Sequence, residues 1–120
     1  MSIGTHQGGC ACGAVRYTVE IDPAAQAITC NCSHCGRAGL LLQFVTPDKF
    51  TLEKGGDNLS EYQFNKHVIH HMFCKTCGIK PFARGKGKTG DMVAINVRCL
   101  DGVDVFKAAS EAKQVDGKSY

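Results

Sequence analysis

His71-Met72-Phe73-Cys74-Lys75-Thr76-Cys77-Gly78-Ile79 contains two cysteines separated by two residues, with a glycine directly after the second cysteine. Two thiolates at this spacing can hold one metal ion in a tight turn. Backbone N–H groups of the turn then point at the sulfurs and share their negative charge. A glycine at the end supplies the positive φ that closes the turn without a Cβ clash. The stretch therefore predicts a metal-binding turn.

Two further cysteine clusters lie upstream, Cys10-Ala11-Cys12-Gly13 and Cys30-Asn31-Cys32-Ser33-His34-Cys35-Gly36. Together the three clusters hold seven of the eight cysteines of the chain. A glycine follows each cluster, and we expect Gly13, Gly36 and Gly78 all to adopt positive φ. Isolated cysteines are often small core residues, but three clusters with trailing glycines favour metal ligation.

Eight cysteines in 120 residues could also form a disulfide scaffold. The N-terminal sequence has no basic segment followed by an apolar run, so we expect no signal peptide. No window approaches the roughly 20 apolar residues that cross a membrane, and we expect no membrane association. The expected compartment is the reducing cytoplasm, where disulfides rarely persist, and this favours metal.

The formal charge of +3 does not indicate a nucleic-acid partner. Four thiolates with one Zn²⁺ carry roughly −2 and three carry roughly −1, because the ligands must be deprotonated. The basic residues Arg84, Lys86 and Lys88 alternate with glycines, a pattern typical of a solvated loop. Nucleic-acid binding is therefore not expected.

Seven ligands divide naturally into a closed site of four and an open site of three. Structural zinc sites use four protein ligands, whereas catalytic sites use three and keep one position open. The neatest division gives Cys10, Cys12, Cys74 and Cys77 to the closed site. Cys30, Cys32 and Cys35 then form the open site. Spacing alone leaves other partitions possible.

Short apolar segments predict a mainly β fold without long helices. Val15, Tyr17, Val19 and Ile21 alternate as in a half-buried strand. Further strands are expected at 40–45, 50–52, 59–64, 68–73, 92–97 and 103–106. Residues 108–114 could form one or two helical turns. We expect one domain over residues 1–112 and a polar, frayed tail over 113–120.

The three clusters occur in an order and spacing that closely resemble the glutathione-dependent formaldehyde-activating enzyme family, which includes centromere protein V. Gly8-Gly9-Cys10-Ala11-Cys12-Gly13-Ala14-Val15-Arg16-Tyr17 opens the resemblance, and Val93-Ala94-Ile95-Asn96-Val97 with Leu100-Asp101 closes it. The resemblance implies a β-tent fold of short antiparallel sheets organised around zinc. It also implies two zinc ions, divided as above. The implied activity is that of a carbon–sulfur lyase, the synthesis of S-(hydroxymethyl)glutathione from the thiol glutathione and formaldehyde.

Three thiolate ligands make zinc a weak Lewis acid that suits soft sulfur, so an open site of this kind favours thiol substrates. His34 is a candidate proton carrier, with an exposed residue of the turn as the alternative. Arg37 is a candidate partner for a substrate carboxylate, with a surface arginine as the alternative. His70 and His71 should face opposite sides of one strand. Cys99 is interpreted as a buried spare thiol and not a ligand.

A second hypothesis treats the chain as a non-catalytic binding module. Both zinc ions would then only stabilise the fold, and a surface would meet a partner. The two hypotheses differ in the occupancy of the site at Cys30, Cys32 and Cys35, since an enzyme needs an exchangeable ligand there.

Overall fold

The computed structural model describes residues 3–31, 34–63, 69–87 and 90–116. Within these ranges the chain forms ten strands, two short helices and three 3-10 turns. The strands are β1 (Gly4–Gly9), β2 (Arg16–Ile21), β3 (Ile28–Cys30), β4 (Leu42–Val45), β5 (Phe50–Lys54), β6 (Leu59–Tyr62), β7 (His70–Cys74), β8 (Phe82–Gly87), β9 (Gly90–Asn96) and β10 (Lys113–Val115). The helices are α1 (Cys35–Ala38) and α2 (Val105–Ser110), and the 3-10 turns are Pro47–Lys49, Gly56–Asn58 and Val97–Cys99. The prediction of a mainly β fold is confirmed.

A three-stranded antiparallel sheet has the order β1-β2-β5. Its central strand follows the alternation seen in the sequence. Tyr17, Val19 and Ile21 are buried, whereas Glu20 is exposed. The period of two in β2 thus places one face of this sheet against the core, as predicted.

The larger sheet has seven strands in the order β10-β3-β4-β9-β8-β7-β6. Every pairing is antiparallel except that of β10 with β3, which is parallel. Val93 and Ile95 of β9 are fully buried on one face of this sheet. Ala94 lies between them in the chain and therefore faces the opposite side.

One apolar core joins the two sheets. Its aromatic centre consists of Tyr17 from the small sheet, Phe50 from the same sheet and Phe82 from the large one. The ring centroid of Tyr17 lies 5.2 Å from that of Phe50 and 6.0 Å from that of Phe82. Edge-to-face and tilted contacts at these distances are the favoured arrangements of aromatic pairs. No helix in the described ranges is long and apolar enough to cross a lipid bilayer.

The C-terminal region departs from the prediction in two places. Residues 103–106 were expected to form a strand, but Asp104 instead caps α2, and its Oδ1 accepts a hydrogen bond from the Lys107 N–H at 3.1 Å. Capping satisfies an N–H group at the helix start and so favours helix over strand. Lys113–Val115 were expected to fray, but they form β10 beside β3. Residues 117–120 of the expected tail lie outside the described residues.

The basic segment around Arg84 and Lys86 is also a strand and not a solvated loop. It forms β8, which pairs with β9 from Phe82↔Ile95 to Gly87↔Gly90. Phe82 and Ala83 are buried at its start. Lys88 lies outside the described residues. So do residue 64 at the end of the expected 59–64 strand, residue 68 at the start of the expected 68–73 strand, and the segment between them.

Candidate metal centre

Cys10, Cys12, Cys74 and Cys77 meet at the junction of the two sheets. Cys10 and Cys12 lie between β1 and β2 of the small sheet, whereas Cys74 ends β7 of the large sheet and Cys77 follows it. Their four Sγ atoms all lie within 4.8 Å of one another. The structure thus brings together the four cysteines assigned to the closed site.

The spacing of these sulfurs fits tetrahedral zinc. The Sγ of Cys12 lies 3.6 Å from that of Cys10 and 3.7 Å from that of Cys74. A zinc–sulfur bond of about 2.3 Å requires sulfurs about 3.8 Å apart at the corners of a tetrahedron. All four cysteines are free thiols. Cys10, Cys12, Cys74 and Cys77 could therefore hold one zinc ion.

Hydrogen-bond donors surround the sulfurs. The Val15 N–H donates to Cys10 Sγ at 3.3 Å, and the Thr76 N–H donates to Cys74 Sγ at 3.4 Å. Asn58 Nδ2 adds a side-chain donor to Cys74 Sγ at 3.3 Å. Donors of this kind spread the negative charge of metal-bound thiolates and orient the ligands.

The glycines after the two outer clusters behave as predicted. Gly13 has φ of 84° and Gly78 has φ of 77°. No atom lies within 4 Å of the position that a Cβ would take at either glycine. The requirement for glycine there is thus conformational, since other residues adopt this region at a cost of roughly 1–2 kcal/mol.

The surroundings shift the pKa values of these thiols in opposite directions. The Ile79 N–H is the largest influence that lowers the pKa of Cys77 to about 6. For Cys12 the Ala14 N–H lowers the pKa, but the neighbouring Cys10 sulfur and burial raise it, and the result is about 11. Four sulfurs this close cannot all carry negative charge without a compensating positive ion. The donor set therefore suits a thiophilic divalent cation.

Cys99 lies apart from this cluster. Its Sγ donates to the Lys80 carbonyl oxygen at 3.9 Å, and burial raises the pKa of its thiol to about 12. Its sulfur is not among the four that lie close enough together to hold a metal ion. This agrees with its interpretation as a spare thiol.

The central cluster has a different local structure. Cys30 ends β3 and Cys35 begins α1, while Cys32 lies outside the described residues. The expectation of positive φ at Gly36 is wrong, because this residue lies within α1. A Cβ at Gly36 would lie 3.3 Å from the carbonyl of Asn31, so glycine permits a close backbone approach. Gly39, with φ of 68°, ends the helix instead.

Cys30 and Cys35 line a cavity of about 350 Å³ on the side of the large sheet that faces away from the core. Its walls are mainly apolar and include Leu40, Leu42 and Phe44. Lys80 borders it on this face, whereas the Arg84 guanidinium lies on the core face of the sheet, 5.2 Å from the Phe50 ring centroid. Lys86 alternates with Gly85 along β8 and so faces the same side as Arg84. The cavity could hold a small organic molecule beside the two cysteines.

His34 packs in a stack of rings at the edge of this cavity. Its ring centroid lies 3.9 Å from that of His71 and 5.2 Å from that of Tyr62. Burial lowers the pKa of His34, and the positive charge of Lys80 lowers it further. Burial, helped by His34 and Lys80, lowers the pKa of His71 to about 4, so this imidazole is neutral at pH 7. His34 is thus half-buried and not simply exposed on a turn.

The remaining predicted residues are placed as follows. His71 is buried and lines the cavity, whereas His70 faces the other side of β7, where its Nδ1 lies 2.7 Å from Glu61 Oε2. This confirms the prediction that the two histidines face opposite sides. Arg37 lies on α1, exposed, and is not among the residues that line the cavity.

Within the described ranges, the four outer cysteines form the only group of side chains close enough together to hold a metal ion. No described histidine or carboxylate closes such a group with Cys30 and Cys35.

Sequence reasoning missed Asn58 and the apolar cavity. Asn58 follows a glycine-rich turn, and nothing in its sequence surroundings indicates a donor to a sulfur that is 16 positions away. The sequence does carry a weak indication of the cavity. The small residues Ala83 and Gly85 lie two positions apart in β8 and so face the same side of the sheet, and Met92, Ala94 and Asn96 do the same in β9. This pattern indicates a cavity only once the pairing of β8 with β9 is known.

A mainly β domain that joins two sheets through a four-cysteine cluster defines the class: a small β protein with a cysteine site that could hold zinc. The family described as glutathione-dependent formaldehyde-activating enzyme matches residues 5–114, and the chain belongs to this family. A crystal structure of a Rhodobacter sphaeroides protein has a similar fold, with a TM-score of 0.80 and 32% sequence identity. The match covers 91% of this chain and 99% of the other.

Proposed function

We propose that this protein is a zinc-dependent enzyme of the carbon–sulfur lyase type that acts on thiol adducts, in the manner of S-(hydroxymethyl)glutathione synthase. The observation that carries the proposal is the position of Cys30 and Cys35 in the wall of a cavity. Cys10, Cys12, Cys74 and Cys77 instead surround one another at the junction of the sheets. One set of cysteines is thus open to a small molecule and the other serves the fold.

Cys30, Cys32 and Cys35 are the proposed ligands of a second zinc ion. Three soft thiolates suit a metal that binds a further sulfur. When bound, zinc of this kind lowers the pKa of a thiol that reaches its open position. Membership of the family supports the assignment, together with the chemistry of the donor set.

Glutathione is the proposed thiol. A carboxylate of glutathione is complementary to Lys80, the basic residue on the cavity side of the sheet. Arg37, two residues after Cys35 on α1, is proposed to pair with a carboxylate of the bound thiol. The apolar walls exclude water from the sulfur of the bound thiol. Addition of this thiol to the aldehyde is therefore favoured over exchange of the bound thiol with solvent.

In the proposed reaction, the sulfur of the thiol forms a bond to the carbonyl carbon of the aldehyde, and the thiol proton moves to the carbonyl oxygen. The reverse reaction breaks the carbon–sulfur bond and returns the proton to sulfur. His34, held against His71 next to Cys35, is the proposed carrier of this proton.

The test combines zinc analysis with an exchange assay. Wild type should bind two zinc ions per chain and accelerate the exchange of glutathione and formaldehyde with their adduct, measured by NMR exchange spectroscopy. Cys35→Ser should bind one zinc ion, lose at least about 100-fold in rate, and keep its fold by circular dichroism. Cys99→Ser, a matched control outside both sites, should keep both zinc ions and the activity.

Two outcomes would contradict the proposal. Full activity in Cys35→Ser would separate the reaction from this site. Complete unfolding of Cys35→Ser would show that the central cluster is structural, as the hypothesis of a non-catalytic binding module requires.

A further inference from the structure

We propose that the cavity beside Cys30 and Cys35 binds an alkyl or aryl group on the carbon of the thiol adduct, so that the aldehyde is larger than formaldehyde. This inference rests on the proposed function, since it takes the sulfur of the adduct to lie at these cysteines. It concerns the part of the substrate beyond the reacting carbon.

Small side chains on the central strands create the cavity. The strand register places Tyr62, His71, Ala83, Ala94 and Phe44 in one row across β6, β7, β8, β9 and β4. Cross-strand neighbours in antiparallel sheets share a face, so these five side chains lie side by side. Ala83 and Ala94, in the middle of the row, carry only methyl groups. The rings of His71 and Phe44 lie on either side of them.

The next pair on the same face of the sheet extends the space above the two alanines. Gly85 lies opposite Met92 and has no side chain, so the floor of the cavity continues beyond Ala83 and Ala94. Protein interiors are usually close-packed, and a space of about 350 Å³ is large enough for several carbon atoms.

The walls of the cavity offer few hydrogen-bond partners. Leu40, Leu42, Phe44 and Met92 contribute apolar surface, and no aspartate or glutamate is among the described lining residues. Water against such walls lacks partners, so an apolar group that displaces it is bound favourably.

Formaldehyde cannot use these walls, because it has no carbon beyond its carbonyl group. The polar atoms of glutathione would lose hydrogen bonds to water if they were placed there. The apolar volume therefore suits the substituent on the carbon of the aldehyde, with the sulfur near Cys30 and Cys35.

The reaction stays balanced with a larger aldehyde. The sulfur of the thiol bonds to the carbonyl carbon, the carbon–oxygen π bond breaks, and the thiol proton passes to oxygen. The product is a hemithioacetal, and neither an oxidant nor a reductant is consumed.

The experiment measures dissociation constants by calorimetry for the zinc-loaded full chain. S-methylglutathione and S-hexylglutathione are stable mimics of a short and a long adduct, and they differ by five methylene groups. Wild type should bind S-hexylglutathione at least about tenfold more tightly than S-methylglutathione.

Variants at Ala94 connect this preference to the cavity. Ala94→Leu should fill the space and reduce the ratio of the two constants below about threefold, with little change for S-methylglutathione. Ala24→Leu, the same change at an exposed loop position, should keep the wild-type ratio. If Ala94→Leu does not fold, Ala94→Ser makes the wall polar at nearly constant volume and should also lower the ratio.

The outcomes distinguish this inference from the proposed function. Equal affinity of wild type for the two mimics would overturn the inference and leave the proposed function standing. A preference that survives in Ala94→Leu would also overturn it. Failure of wild type to bind either mimic would overturn both the inference and the assignment of glutathione as the thiol.

Discussion

At the scale of single residues, the four-cysteine cluster receives a hydrogen bond from a side chain outside the cysteine turns. Asn58 Nδ2 donates to Cys74 Sγ at 3.3 Å and to Thr76 Oγ1 at 3.1 Å. Cys74 is fully buried, so its sulfur cannot obtain the same hydrogen bond from water. The side chain of Asn58 therefore stabilises the charged form of a ligand that solvent does not reach.

Asn58→Ala should weaken zinc binding at the four-cysteine cluster about tenfold, because loss of a partner outside the metal shell typically costs 10–100-fold in metal affinity. Competition with a calibrated zinc chelator measures the change.

Thr76→Ala is the matched control. It removes the acceptor of the second Asn58 hydrogen bond but leaves the Thr76 N–H on Cys74 Sγ, so its effect should be smaller. An affinity of Asn58→Ala within twofold of wild type would show that the donor does not matter to the metal.

At the scale of elements, the hairpin of β1 and β2 sets the geometry of Cys10. The Cys10 N–H donates to the Val15 carbonyl oxygen at 3.1 Å, which closes the turn that carries Cys10 and Cys12. Gly9 lies directly against the same carbonyl, and a Cβ built there would be only 2.1 Å from its oxygen. The absence of a side chain at the end of β1 thus permits the turn to close.

Gly9→Ala should lower the free energy of unfolding by roughly 3 kcal/mol, since the clash is with backbone that cannot move without opening the turn. Urea unfolding of the zinc-loaded protein, followed by circular dichroism, measures the loss.

Gly4→Ala tests the same substitution in the same strand. Its Cβ would meet nothing closer than His6 Nε2 at 3.7 Å, so stability should stay within about 0.5 kcal/mol of wild type or rise slightly. Equal losses in the two variants would contradict the argument from backbone contact.

At the scale of the whole molecule, the four-cysteine cluster and the apolar core are two separate links between the same sheets. The core joins them through Tyr17, Phe50 and Phe82. The cluster joins them at one edge, where Val15 and the buried cysteines Cys10 and Cys74 pack together. Without zinc the sulfurs would take up protons and the bonds that link the two sheets through the metal would be lost, so the metal should contribute directly to the folding free energy.

Cys74→Ser should therefore give unfolded or insoluble protein, and a strong chelator should lower the thermal midpoint of wild type sharply. Loss of zinc should lower the free energy of unfolding by at least about 3 kcal/mol. This is less than the whole binding free energy of structural zinc, because the apolar core remains.

Cys99→Ser is the control, since its thiol lies outside the cluster. A well-folded Cys74→Ser with the thermal midpoint of wild type would reject the assignment of these four cysteines to a structural zinc site.

Much of the closed site could be predicted from the sequence, because its geometry is largely local. Cys74 and Cys77, separated by two residues and followed by Gly78, already indicate a metal-binding turn. Cys10 and Cys12, separated by one residue and followed by Gly13, indicate a second. The strand β2 is equally local, since side chains that alternate in polarity must face opposite sides of a sheet. The expectation failed at Gly36, where the chain continues into α1, because the same residue type serves a close approach to Asn31 instead of a positive φ.

Tertiary structure alone decided the features that depend on pairing between distant segments. Lys113 and Gln114 are polar, and the short segment Lys113–Val115 forms a strand only because β3 offers a free edge. His34 meets His71 and Tyr62 although 37 and 28 positions separate them in the chain. The cavity exists because register places Ala83 beside Ala94, and neither alanine shows this by itself. The sequence thus determined the β pattern and the cysteine turns through local geometry, whereas the open space beside Cys30 and Cys35 arose from long-range strand pairing.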